Sequence, residues 1–176
     1  MNLKNILAAS AILLFASCSQ PEQKAEPAAA PATEQTTPEE TPEATTEATE
    51  PGISKVTVNA DDQMKYDTKE IRVKAGSKVE LTLHHIGKMD KKAMGHNLVI
   101  INGSMDLSMF AAAAAKAHDA DYIPKGEEKN IVAHTKLLGG GESDTITFDA
   151  PEPGVYHFLC TFPGHWGVMN GKFIVE

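Results

Sequence analysis

The chain is predicted to be all-β, an antiparallel β-sandwich with one helical insert, and three observations carry that prediction. Short segments with alternating apolar residues recur: Val56-Thr57-Val58, Ile71-Arg72-Val73, Val79 through Leu83, Thr145 through Phe148 and Phe173-Ile174-Val175. Turn-forming clusters separate them, namely Ala75-Gly76-Ser77, Gly139-Gly140-Gly141 and Pro151-Glu152-Pro153-Gly154. Period-2 segments with regular punctuation are the pattern of strands buried on one face. One segment breaks the rule, because Leu107 to His118 is Ala-rich with high helix propensity. Ser104 or Asp106 is placed to cap its start, and Pro124 lies beyond its end.

The elements follow in order from the N-terminus. Residues 1–17 combine Lys4, an apolar run from Ile6 to Phe15 and the small pair Ala16-Ser17. This is a secretory signal pattern, too short to span a bilayer permanently. Cys18 directly after the small pair marks a lipoprotein, with Cys18 acylated (palmitate-type chains) at the mature N-terminus. The alternative is a plain signal with a stray Cys. Several acyl chains would anchor the chain stably. Ser19 rather than Asp after the Cys resembles an outer-membrane address, and the chain is expected to face the periplasm.

Residues 18–51 are expected to form a disordered tether. From Ser19 to Pro51 the chain is almost entirely Ala, Glu, Thr, Pro and Gln, without apolar periodicity. Its eight Glu and one Lys carry most of the formal net charge of −8, leaving the 52–176 domain near −2. That balance gives no case for nucleic-acid binding, which wants a basic patch. The tether could reach on the order of 110 Å fully extended, or about 30 Å as a flexible coil. The remaining residues suffice for one core.

Chemistry concentrates near the C-terminus. Gly154 to Cys160 reads as a strand, and Cys160, His165 and Met169 follow within one turn region containing Pro163 and Gly164. A thiolate, an imidazole and a thioether form a soft set that selects copper, and zinc would want stronger ligands than a thioether. A trigonal His₂Cys centre with a weak axial Met needs one more imidazole. His96, between Gly95 and the apolar run Leu98 to Ile100, offers it.

These motifs, with Asp62-Gln63-Met64, Ala133 through Leu137 and Thr147-Phe148-Asp149, resemble the azurin branch of the blue copper proteins. The resemblance spans about residue 53 to the C-terminus. It implies a cupredoxin-like Greek-key sandwich and one type 1 copper cycling between Cu(II) and Cu(I). His96, Cys160 and His165 would bind it in a plane, with Met169 and the Gly95 carbonyl as weak axial ligands. Asn97 and the backbone N–H of Phe162 are expected to donate to the Cys160 sulfur. The implied activity is single-electron transfer by a monomeric domain to redox proteins such as c-type cytochromes or copper and haem reductases.

Around His165 the resemblance places an apolar docking patch of Met64, Met89, Ala93, Met94 and Phe162. Trp166 departs from the family, which often has a small residue there. It either anchors a partner or packs against its own loop. His85 matches a histidine near the copper of azurins. His134 and His157 are expected to be surface or half-buried. The usual azurin disulfide is absent, since the chain has only two Cys and the lipid and the metal take both. An enzymatic role finds no second His cluster and no Ser-His-Asp set. The remaining alternative is a copper-binding or buffering surface lipoprotein without electron transfer.

Overall fold

The structure is a computed structural model that describes residues 46–50 and 52–176. The signal, Cys18 and most of the tether lie outside the described residues. Ten strands run in chain order: β1 (Thr46–Glu50), β2 (Ile53–Asp61), β3 (Lys65–Tyr66), β4 (Glu70–Val73), β5 (Lys78–His85), β6 (Val99–Ile101), β7 (Ile131–His134), β8 (Ser143–Asp149), β9 (Gly154–Leu159) and β10 (Asn170–Val175). A one-turn helix α1 (Lys91–Met94) precedes β6, and α2 (Leu107–Ala114) follows it.

The strands form two sheets, ordered β1-β2-β5-β8 with β3 on β2, and β4-β10-β9-β6-β7. Two expectations are corrected here. The sandwich is mixed rather than antiparallel: β2 pairs β5 in parallel, and β4 pairs β10 in parallel. Parallel neighbours need a long connection, and the β3–β4 excursion between β2 and β5 provides one. Thr46–Glu50, expected to lie in the tether, instead pairs with Val56, Lys55 and Ile53 of β2 as an edge strand.

Alternation along the strands builds the core. β2 buries Val56, Val58 and Ala60, and β5 buries Val79, Leu81, Leu83 and His85. Opposite them, Ile71, Phe158 and Phe173 come from the second sheet. Strand β6 is buried at every position, for a reason visible in its two neighbourhoods. Ile100 enters the main core, whereas Val99 and Ile101 face a satellite cluster with Phe110, Ala111 and Leu159. The helical insert therefore roofs the outer face of this sheet.

That insert is shorter than its composition suggests. Asp106 caps it by accepting the Met109 N–H at 2.8 Å, and α-helix ends at Ala114 rather than His118. A 3-10 turn at His118–Ala120 follows, then Asp121 and Tyr122 both adopt left-handed φ, at 51° and 62°. Those two residues turn the chain back toward Asn97 and Phe162, which a continuing helix would not reach.

Candidate metal centre

The end of the sandwich beyond β9 collects the expected donors. Strand β9 delivers Cys160, whose N–H donates to the Met169 carbonyl at 2.9 Å. The turn that follows is tied by His165 N–H to Phe162 carbonyl at 3.1 Å and by Met169 N–H to His165 carbonyl at 2.8 Å. Gly164 sits at φ 86°, where a side chain would be strained. His96 arrives from α1, and its backbone bridges Leu138 in both directions, at 3.0 and 2.7 Å.

The His96 Nδ1, His165 Nδ1 and Cys160 Sγ atoms form a triangle. The two nitrogens are 3.2 Å apart, and the sulfur lies 3.9 Å from His96 and 3.7 Å from His165. A circle through those corners has a radius of about 2.1 Å, close to ordinary metal–nitrogen and metal–sulfur bond lengths. One ion near the plane of the three donors would satisfy them all. Tautomers agree: His96 Nε2 lies 2.8 Å from the Asp61 carbonyl, so it carries the proton and leaves Nδ1 free to ligate. All three residues are buried, and among the described residues they are the one trio of His, Cys, Asp or Glu with converging ligand atoms.

Met169 is fully buried in the same cluster as Cys160. The Gly95 carbonyl lies 3.9 Å from the Cys160 sulfur. Glycine is required at position 95, because a Cβ would lie 2.5 Å from the Lys91 carbonyl and 2.9 Å from the Phe162 ring.

Several polar groups surround the sulfur and its loop. Burial pushes the Cys160 thiol up to about 11, and the backbone N–H groups of Asn97 and Phe162 oppose that rise. The Asn97 side chain pins the neighbouring residue: its Oδ1 accepts the Thr161 N–H at 2.8 Å, and its Nδ2 donates to Thr161 Oγ1 at 2.7 Å and to the Asp121 carbonyl at 3.2 Å. Sequence reasoning missed Tyr66, whose buried hydroxyl donates to the Asn97 carbonyl and also helps hold the thiol down. It also missed Tyr122, edge-on to Phe162 at 5.3 Å, while the Phe162 ring lies tilted against His165 at 4.7 Å.

His85 is buried beside His96, with ring centroids 4.5 Å apart. Its Nε2 donates to the Met94 carbonyl and its Nδ1 accepts the Gly87 N–H, which fixes the orientation of the ring. His134 is exposed and His157 half-buried, as expected. Met64 and Met89 are about two-fifths exposed, at 38% and 41%. Ala93 is exposed, and Met94 and Phe162 are half-buried. Trp166 does not join them as a free ring: it is half-buried and packs against the satellite cluster under the insert. Its packing partners lie in the insert, β6 and β9 rather than in its own loop.

Burial also depresses the imidazoles. His165 falls to about 4, by burial first and then by the nearby His96 and His85, and His96 is lowered mainly by burial. Between the ordinary value of 6.5 and about 4, unfolded chain takes up a proton that folded His165 refuses. Metal-free protein should therefore lose stability as pH falls through that window, by about 1.4 kcal/mol per pH unit for each such proton. Urea midpoints of wild type and His165→Gln from pH 7 to 4 measure this. A wild-type midpoint as flat as the variant's would contradict the depressed value.

A β-sandwich whose end holds two imidazoles and a thiol at ligating spacing defines a mononuclear soft-metal protein. The family model for copper binding proteins of the plastocyanin/azurin family matches residues 53–176, and the chain belongs to that family. Its cofactor is one type 1 copper ion. Similar proteins include outer membrane protein H.8 of Neisseria gonorrhoeae, 48% identical over 174 residues that cover 94% of each chain. An azurin of Alcaligenes faecalis is 42% identical, covering 66% of this chain and 93% of its own. Among solved structures, reduced auracyanin of Roseiflexus castenholzii superposes with a TM-score of 0.62 at 35% identity, covering 70% of this chain and 95% of its own. The azurin Az-iso2 of Methylomonas sp. strain J gives 0.63 at 31%, covering 69% and 97%.

Proposed function

We propose that this chain is a blue copper electron carrier, held at the outer membrane by lipid on Cys18 and passing single electrons to periplasm-facing redox proteins. The observation that carries the reading is the donor triangle, already at ligating spacing and locked by Asp61, Asn97, Leu138 and Met169. His96, Cys160 and His165 would bind copper, with Met169 and the Gly95 carbonyl as weak axial partners. Bound there, copper would supply a Cu(II)/Cu(I) couple. Donors fixed by the scaffold need little rearrangement between the two states, which favours rapid transfer. A catalytic metal site keeps an open position for substrate, whereas these donors are at most 3% exposed; this supports a carrier over an enzyme. The similarity to outer membrane protein H.8 supports the membrane address.

His165, under the Phe162 ring, is the exit nearest the surface. Met64, Met89, Ala93, Met94 and Phe162 would make the encounter face, suited to brief apolar contacts with c-type cytochromes or copper and haem reductases. Apolar docking depends weakly on salt. Stopped-flow mixing of the oxidised copper protein with a reduced c-type cytochrome tests the role. Bimolecular electron transfer should change less than roughly threefold between low and high salt. No transfer, together with rapid surrender of copper to a chelator, would favour the buffering alternative. Metabolic labelling with a radioactive fatty acid tests the anchor: label should appear on wild type and vanish in Cys18→Ala, and an unlabelled wild type would end the lipoprotein reading.

A further inference from the structure

Lys69 stands just before β4, and its Nζ donates to the Val168 carbonyl at 2.6 Å and to the Asn170 carbonyl at 3.2 Å. Those carbonyls bracket Met169 on either side. The lysine backbone is fixed as well, since its carbonyl accepts the Lys172 N–H at 2.9 Å where β10 begins to pair with β4. Gly171 makes this approach possible: a Cβ there would lie 2.4 Å from the Lys69 carbonyl. Asn170 Nδ2 in turn donates to the Trp166 carbonyl at 2.7 Å. The end of the metal-binding loop is thus braced from outside, by a residue about a hundred positions earlier.

We infer that Lys69 is a positioning residue for the axial methionine, clamping the peptide that enters Met169 and the one that leaves Asn170 so that the Met169 thioether is held in one place at the site. Cationic N–H donors make strong bonds to carbonyls, and two from a single ammonium restrain a loop end more than either alone. Within the loop, Met169 N–H reaches His165 and Met169 carbonyl takes Cys160 N–H. Those bonds fix the peptide on its inner side, and Lys69 fixes the outer side. The thioether is the weakest donor of the set, so its position depends most on the backbone that carries it.

This inference rests on Met169 being a ligand, and the test separates the two claims. Lys69→Met, which keeps the stem but loses the ammonium, is compared with Lys69→Arg, in Met169 and Met169→Leu backgrounds. Hydrogen exchange at the Met169 amide of metal-free protein should quicken roughly threefold or more in Lys69→Met and stay near wild type in Lys69→Arg. In copper-loaded protein, Lys69→Met should shift the thiolate-to-copper absorption and the copper hyperfine splitting, and this shift should disappear in the Met169→Leu background. Equal exchange rates, or the same spectral shift in both backgrounds, would overturn the positioning role, the latter leaving only a charge effect. If Met169→Leu alone leaves the spectrum untouched, the ligand assignment fails instead. Should Lys69→Met not fold, Lys69→Gln takes its place in the same comparison.

Discussion

Cys160→Ser is expected to give a colourless protein that folds but holds copper poorly. Intense visible absorption from such a site needs charge transfer from a thiolate, and a serine hydroxyl neither ionises near neutral pH nor supplies a sulfur orbital. Cys160 is fully buried and packs in the main core, so the near-isosteric change spares most of the packing. Affinity should fall by more than the roughly 10–100-fold that loss of an outer partner costs, because a charged donor is lost outright. Absorption spectra and competition with a chelator on both proteins measure this. A blue Cys160→Ser protein would contradict the donor triangle.

The second large effect is expected at Asn97, where one amide holds two loops. Asn97→Leu strands the buried N–H of Thr161 and removes the donor to Asp121, the residue that turns the helical insert back onto the site. A buried group left without a partner costs about 1–3 kcal/mol, so a total near 2–4 kcal/mol is expected for the metal-free protein. For a domain of this size, that lowers the melting temperature by on the order of 10 °C. Asn97→Asp keeps the acceptor for Thr161 and should lose less. Calorimetry of the three proteins checks the ranking, and an Asn97→Leu protein as stable as wild type would contradict it.

What could be read from the chain beforehand divides along physical lines. The donors of the C-terminal run lie within ten residues of one another, so spacing alone brings Cys160, His165 and Met169 to one turn. Strands β2 and β5 bury one face, β8 half-buries one, and all three alternate cleanly, which makes them legible. Strand β6 is covered on both faces, by the main core and by the insert, so its run of Val99, Ile100 and Ile101 shows no period. Parallel pairing of β2 with β5 leaves no mark on alternation, because the pattern is the same in either direction.

Partners of the ligands were hidden for a related reason. Tyr66 meets the Asn97 carbonyl across 31 residues of sequence, and Asp61 meets His96 across 35. Such contacts depend on register between strands rather than on local pattern. The packing of Trp166 was hidden as well, because the cluster it joins is assembled from the insert, β6 and β9. Nothing within its own loop announces that roof.

Spectroelectrochemical titration of the copper-loaded domain tests the central claim most directly. The account predicts one copper per chain and an intense blue band that bleaches and returns over repeated cycles. Its midpoint should follow a one-electron wave, tenfold in oxidised-to-reduced ratio for each 59 mV. A bound ion without the blue band, or a wave that expels copper on reduction, would contradict it.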